Sequence, residues 1–307
     1  MPLPDMPLSA DFTQIVQPHS WLAQAWFEGQ NHGRQPYVGR FAPSPSGLLH
    51  QGSLIAALAS YVHAHWHHGS WLVRMEDVDF SRCTVAYGQS QLATLHALGF
   101  EFDEPVMWQS QRSVAYQQAF DRFAADQRIY PCTCTRRDLG DNSQHNFNIC
   151  QARLKLGHPI RSWRFRVTDQ LIAWRNGTQT MHEDLTKSCG DFVIKREPDE
   201  WTYQLAVVVD DGAQGITHIV RGNDLLDSSA RQIALQETLS LPRPVYNHIP
   251  LLLDKGGRKL SKSEQAPALS TMDGVAGLMH AWCFLGGRDF APASIDEFWR
   301  TVLMPRV

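Results

Sequence analysis

No apolar run in the chain approaches the roughly 20 residues that a membrane-spanning helix needs, and the first 30 residues lack a basic start followed by an apolar core. Neither a membrane span nor a secretory leader is expected, and the sequence reads as that of a cytoplasmic monomer. Charge is sparse as well. Charged residues make up 19% and the net charge is −3, so no global field draws the chain to phosphate backbones, and a nucleic-acid partner would have to be met by a local basic surface. Cysteine is scarce too: Cys83, Cys189 and Cys283 stand alone among six, which excludes the dense disulfide framework of a small secreted domain. The other three, Cys132, Cys134 and Cys150, are gathered, and clustered thiols in a reducing compartment suggest a metal. Internal repeats and low-complexity tracts are absent. What is present is 307 residues, 43% of them hydrophobic, enough for one large core or two ordinary ones.

Residues 1–36 read as an N-terminal extension with one short helix near Ser20–Phe27, capped by Ser20. From Tyr37 the pattern turns regular. Tyr37–Ala42 predicts a strand, a Pro and Gly loop follows, and Leu54, Ile55, Leu58, Ala59 and Val62 recur at helical spacing. Trp71–Met75 predicts a second strand, and Val85–Leu98 and Ser113–Gln127 predict helices. The order β-α-β-α implies a parallel sheet and the α/β class. Over residues 132–200 the order breaks down into the cysteine cluster and short runs such as Trp163–Val167, which suggests an inserted subdomain. Parallel-sheet patterns resume over 201–270. Leu205–Val209 predicts a central strand buried on both faces and ending in Asp210 and Asp211; Thr217–Val220 and Tyr246–Leu253 predict strands, and Ser228–Leu239 a helix. Residues 37–131 and 201–270 would form two halves of one domain, and 271–307 a segment with two helices.

The segment Arg40–Ser53 places Pro43, Pro45, Gly47 and Gly52 where a strand hands over to a helix. A helix N-terminus offers free N–H groups and a partial positive charge, and the two glycines would let a phosphate approach closely. Gly47 and Gly52 have P-loop spacing, but Ser53 stands where that motif demands lysine. More than 200 residues downstream comes a second polar loop, Arg258-Lys259-Leu260-Ser261-Lys262-Ser263, after Gly256 and Gly257. Taken alone it reads as a solvated lysine loop.

Taken together, the two motifs resemble those of class I aminoacyl-tRNA synthetases: His50-Gln51-Gly52-Ser53 sits at their HIGH motif and Lys259-Leu260-Ser261-Lys262-Ser263 at their KMSKS loop. Arg40–Gly47, Arg74–Asp79, Ala206–Asp211 and Ile219–Asp224 resemble signatures of the glutamyl branch. The resemblance implies a Rossmann-like catalytic domain over 37–131 and 201–270. It also implies that Arg40, Phe41, Ala42, Pro43 and Ser44 hold glutamate, Glu76 takes its ammonium group, and Tyr203 and Arg221 complete the pocket. A substrate with two carboxylates and one ammonium needs such guanidinium and acidic partners. His50, Gly52, Ser53, Lys259 and Lys262 would bind ATP with its Mg²⁺, with His50 and Lys262 catalytic, since Lys262 would stabilise charge as pyrophosphate leaves. Ser53 departs from the HIGH pattern, which would put a second histidine there.

The resemblance also implies zinc at Cys132, Cys134 and Cys150. In the short relatives of the glutamyl branch a tyrosine four residues before the last cysteine completes the set, and here that place is Asn146. Either His145 substitutes, as neutral imidazole can, or the metal is lost. His63, His65, His67 and His68 read instead as the cationic end of a helix. Arg153, Lys155, Arg161, Arg164 and Arg166 form a basic stretch that would meet RNA phosphates or form one solvated face, and the ten tryptophans read as packing.

Val307 follows Ser263 by 44 residues, which leaves no room for the anticodon-binding domain of a complete glutamyl-tRNA synthetase. The chain therefore resembles the truncated glutamyl-queuosine tRNA(Asp) synthetases, which place glutamate on queuosine in the anticodon of tRNA(Asp). Two rival expectations are charging of tRNA(Glu) with a separate anticodon-reading partner, and a non-catalytic RNA- or protein-binding module on the same fold.

Overall fold

The computed structural model describes residues 14–30, 36–139, 145, 147, 150, 154, 156–253, 269 and 274–303; the lysine loop 258–263, Asn146, Arg153 and Lys155 lie outside them. Ser20 Oγ accepts a hydrogen bond from Ala23 N at 3.1 Å and starts helix α1 (Trp21–Gln30), the helix expected there. Val16 and Leu22 are fully buried, and Gln17 N donates to Gly286 O at 2.8 Å. The described part of the extension is thus built into the main core.

Strand β1 (Val38–Phe41), helix α2 (Gln51–Trp66), strand β2 (Ser70–Met75), helix α3 (Val85–Ala97), strand β3 (Met107–Trp108) and helix α4 (Ser113–Ala125) follow the expected order. The three strands form a parallel sheet β1-β2-β3, with Gly39 opposite Trp71 and Arg74 opposite Met107. Helix α2 buries Leu54, Ile55, Leu58, Ala59 and Val62, the residues whose spacing announced it. At its far end His63 is buried and its Nδ1 lies 2.6 Å from Tyr37 Oη, while His67 Nε2 reaches Ala25 O at 3.2 Å. The histidine run ties α1 and β1 to α2.

Between the two halves lie β4 (Ile129–Cys132), β5 (Ser162–Phe165), β6 (Leu171–Asn176), β7 (Gln179–Asp184), β8 (Phe192–Arg196) and β9 (Glu200–Trp201). Strands β4-β5-β8-β9 make an antiparallel sheet of their own. The β6–β7 hairpin does something different. Its buried side chains alternate, Ile172 and Trp174 inward and Leu171 and Ala173 outward, and its end, Asn176, pairs with Tyr246 of the parallel pair β10 (His218–Gly222) and β11 (Val245–Ile249). Beside β10, Thr217 N donates to Val38 O at 2.9 Å, which brings the second half against β1.

The expectation of a central strand at Leu205–Val209 is corrected: Tyr203–Ala213 is a helix, α5. Its first turn is set by Ala206 N donating to Thr202 O at 3.1 Å. Leu205, Ala206, Val207 and Val208 are all buried, because α5 packs against α4 and against α6 (Ser229–Leu239). A run buried on all sides carries no period by which helix and strand could be told apart, and burial overrides the small helix penalty of valine, about 0.5 kcal/mol per residue. Two C-terminal helices, α7 (Gly274–Phe284) and α8 (Ile295–Leu303), close the main core as expected, with Trp71 and Trp282 fully buried in it. No helix among the described residues is long and apolar enough to cross a membrane.

Candidate active site and metal centre

The turn from β1 into α2 is built around His50. It is the N-cap of α2, and its Nδ1 accepts a hydrogen bond from Ser53 N at 3.2 Å. Nδ1 therefore presents its lone pair to the helix, and in the neutral ring the proton sits on Nε2. Gly52 gives the His50 ring its room, since a Cβ would stand 3.1 Å from His50 Cε1 and crowd it. The loop before it is clamped from α3: buried Gln91 donates from Nε2 to Ser44 O at 3.2 Å and to Gly47 O at 2.6 Å. Glu76 N donates to Pro43 O at 3.0 Å, which joins this loop to the end of β2.

Behind the loop lies a chain of buried charges. Arg74 Nη1 donates to Asp211 Oδ1 at 2.8 Å and to Gln214 Oε1 at 2.8 Å, and Arg74 Nη2 lies 3.3 Å from Glu76 Oε1. Arg40 Nε reaches the same Asp211 oxygen at 3.4 Å. Burial pushes the Glu76 carboxyl above its usual range, against the pull of Arg74 and Arg40. Tyr203 is likewise raised by burial and feels the charges of Arg221, Glu76 and Arg40, with its Oη 3.4 Å from Arg221 Nη1. Arg40, Glu76, Tyr203 and Arg221 thus converge from β1, the end of β2, the start of α5 and β10. The guanidinium groups Arg40, Arg74 and Arg221 and the acidic groups Asp211 and Glu76 act on one another here. Guanidinium and acidic groups together are the partners that an amino acid with two carboxylates and one ammonium needs.

The corrected helix accounts for the two adjacent aspartates. Neighbours on a helix point about 100° apart, so Asp211 faces Arg40 and Arg74 while Asp210 faces the other way. Asp210 accepts from Gln109 Nε2 at 2.9 Å, Arg112 Nε at 3.0 Å and Tyr116 Oη at 2.6 Å, locking α4 to α5.

The cysteine cluster closes around His145. Ligand atoms of Cys132, Cys134, His145 and Cys150 all lie within 4.8 Å of one another, and all four residues are buried. His145 Nε2 is 3.6 Å from Cys132 Sγ, 3.3 Å from Cys134 Sγ and 3.1 Å from Cys150 Sγ. The ring is oriented from behind. Tyr130 Oη donates to Asp191 Oδ2 at 2.7 Å, so the contact between Tyr130 Oη and His145 Nδ1 at 3.0 Å uses the proton of Nδ1. That leaves the Nε2 lone pair facing the thiols, the tautomer of a metal ligand. Burial raises the Cys132 thiol, but neighbouring donors, Arg164 Nε among them, outweigh it and bring it down to about 5, whereas burial pushes Cys150 up to about 12. The four residues could hold a metal ion.

Sequence reasoning did not foresee the supporting residues. Arg164, read as part of an RNA-facing or solvated stretch, is buried and donates to Cys132 Sγ at 3.2 Å and Asp191 O at 2.6 Å. Arg166 lies over the ring of Phe147, 4.2 Å from its centroid. Of the three described members of that stretch only Arg161 is exposed. Gln91, Tyr130, Asp191 and His248 gave no local signal; the acidic pair Asp210-Asp211 at the end of an apolar run did. A cavity of about 300 Å³ lined by Arg128, Phe165, Ile172 and Glu237 among others contains none of the expected site residues, and its two carboxylates, Asp126 and Glu237, are exposed.

Comparison with known proteins bears on the family of the chain. Residues 37–279 match the family of tRNA synthetases class I (E and Q), catalytic domain. The chain is 44% identical over 282 residues to a glutamyl-Q tRNA(Asp) synthetase of Burkholderia cenocepacia, covering 86% of this chain and 93% of the relative. It is 44% identical over 275 residues to another from Aromatoleum aromaticum, covering 86% and 87%. Among solved structures, a glutamate tRNA ligase from Elizabethkingia meningosepticum superposes with a TM-score of 0.63 at 24% identity, covering 75% of this chain; the chain spans 53% of that longer protein, and the likeness is one of fold. The chain belongs to the class I tRNA synthetases of the E and Q catalytic-domain family, within the group of glutamyl-Q tRNA(Asp) synthetases.

Proposed function

We propose that the protein activates glutamate with ATP and transfers the glutamyl group to queuosine in the anticodon of tRNA(Asp). The observation that carries this reading is the convergence of Arg40, Glu76, Tyr203 and Arg221 in one buried cluster, in a chain close in sequence to glutamyl-Q tRNA(Asp) synthetases. Glu76 takes the substrate ammonium, whose charge relieves the burial of the carboxylate. Arg40, Ser44 and Arg221, with Tyr203, hold the carboxylates. An oxygen of the glutamate α-carboxylate attacks the α-phosphorus of ATP, and pyrophosphate leaves. A hydroxyl of the queuosine cyclopentene-diol then attacks the acyl carbon, loses its proton, and AMP leaves. No protein nucleophile is needed; the residues position groups and stabilise charge. His50 Nε2–H and the N-terminus of α2 face the phosphates in this scheme. Lys259 and Lys262 would bind the phosphates, as the motif resemblance implies, and Mg²⁺ accompanies ATP.

Zinc suits the second site. A tetrahedral zinc places sulfur ligands about 3.8 Å from one another and nitrogen about 3.5 Å from sulfur. Cys134 Sγ and Cys150 Sγ are 3.7 Å apart, and the three nitrogen–sulfur distances bracket the second value. Cys132, Cys134, His145 and Cys150 would hold the ion, with Arg164, Tyr130 and Asp191 behind them. When bound it supplies a structural clamp on the segment after β4.

The test is glutamate-dependent ATP–pyrophosphate exchange by the purified protein, followed by labelled glutamate transfer to tRNA(Asp) with and without queuosine and to tRNA(Glu). Exchange with queuosine-dependent transfer is expected. Transfer only to tRNA(Glu) would replace the acceptor, and no exchange with any amino acid would sink the adenylate chemistry and favour a binding module.

A further inference from the structure

Arg221 is held from every side. Its Nε donates to His248 Nε2 at 3.0 Å, Nη1 to Gln232 Oε1 at 2.7 Å and to Tyr203 Oη at 3.4 Å, and Nη2 to Ser229 Oγ at 2.9 Å and Leu225 O at 3.2 Å. These five contacts match the five N–H donors of a guanidinium. The longest is the one to Tyr203, so that edge is the one a ligand displaces most readily. The Nε contact is unusual in kind, because a buried arginine is ordinarily paired with a carboxylate and here meets an imidazole.

The state of that imidazole is settled by its neighbours. His248 lies opposite Arg221 in the β10–β11 register. Asn176 Oδ1 accepts His248 N at 3.0 Å and lies 2.8 Å from His248 Nδ1. The backbone N–H can only donate, so the Asn176 atom facing it is the oxygen, and Nδ1 must then carry the ring proton. Nε2 is left with its lone pair toward Arg221, and Ser229 Oγ approaches the same nitrogen at 3.4 Å. Burial, reinforced by the charges of Arg221 and Arg40, holds the imidazole neutral, with its pKa brought down to about 3.

A carboxylate in place of His248 would orient Arg221 equally well but neutralise it. A neutral acceptor orients it and leaves its full charge for the ligand. We infer that Asn176 and His248 form a positioning relay that aims Arg221, without neutralising it, at the side-chain carboxylate of the substrate, and so sets the preference for glutamate over glutamine. The reacting α-carboxylate must move onto phosphorus, and a guanidinium fixed this rigidly suits the carboxylate that stays still. Asn176 ends β6, so the β6–β7 hairpin, which extends the β10–β11 pair beyond β11, reaches the site through this relay. The inference rests on the glutamate reading above.

Three variants of the full chain test it. His248→Phe removes the acceptor, Asn176→Asp stabilises an imidazolium that turns a donor toward Arg221, and His248→Gln can restore a neutral acceptor. Pyrophosphate exchange is measured with glutamate and with glutamine, and nitrogen-15 NMR of unliganded wild type reads the tautomer of His248. The first two variants are expected to raise the KM for glutamate roughly 10- to 100-fold, with a smaller change in kcat and a narrowed glutamate-to-glutamine ratio, and His248→Gln to recover most of the loss. The NMR is expected to show the proton on Nδ1 and no titration of His248 above pH 5. A proton on Nε2, or KM and selectivity unchanged in His248→Phe, overturns the relay. If the tautomer is as expected but wild type shows no glutamate-dependent exchange, the substrate reading fails and the relay's role in selectivity falls with it; the NMR tells the two failures apart.

Discussion

Arg74 Nη1 donates to Asp211 Oδ1 at 2.8 Å in a place where Arg74 has no exposed surface and Asp211 only 3%. The bond joins the end of β2 to α5, elements 137 residues apart in the chain, and through Arg40 and Glu76 it stiffens the floor of the pocket.

Arg74→Met should therefore damage stability as well as activity. It leaves Asp211 without its nearest cation and Glu76 without a partner in the interior, and breaking a buried pair from one side costs about 3–5 kcal/mol. Urea unfolding of the variant checks this; a loss under about 1 kcal/mol would show that water reaches the cluster.

His248 gives stability a pH dependence of definite sign. Its pKa falls from 6.5 to about 3 on folding, so below pH 6.5 the unfolded chain binds a proton that the folded chain refuses. Stability from this group is intact above pH 6.5 and declines as pH falls, by up to about 1.4 kcal/mol per unit, or roughly 2 kcal/mol at pH 5. The gap between denaturant midpoints at pH 7 and pH 5 should shrink in His248→Gln. An unchanged gap would place the pH dependence elsewhere.

Metal content distinguishes the cysteine cluster from three buried thiols. One zinc per chain is expected, released by a thiol-modifying mercurial with a drop in melting temperature. Tyr130→Phe removes the group that sets the His145 tautomer and should weaken metal affinity about 10- to 100-fold while leaving the four ligands in place. Purified protein with no metal after reconstitution would refute the site.

His50 has two separable tasks. His50→Asn keeps an N-cap for α2 but removes the Nε2 donor, so thermal stability should hold while pyrophosphate exchange falls. His50→Ala should lose both, with about 1 kcal/mol of stability from the missing cap. Equal exchange rates in wild type and His50→Asn would remove His50 from the chemistry.

Much of the architecture was readable along the chain. Helix α2 declared itself through the helical spacing of Leu54, Ile55, Leu58 and Val62, and β1, β2, β10 and β11, buried on both faces, through short apolar runs of strand length. Helix α5 did not, because burial on all sides erases the period. The sequence by itself determined which groups the proposed sites draw on: Arg40, His50, Glu76, Tyr203, Arg221 and the three clustered thiols, in an α/β chain of the class I synthetase family. Tertiary structure alone decided how they are used. It turned Asp210 and Asp211 to different partners, drew Arg164 under Cys132, and faced Nε2 of both His145 and His248 with its lone pair toward a thiol cluster and a guanidinium. Those choices rest on contacts between residues 5 to 137 positions apart, most of them far beyond the reach of local propensity, and on the requirement that every buried polar group find a partner.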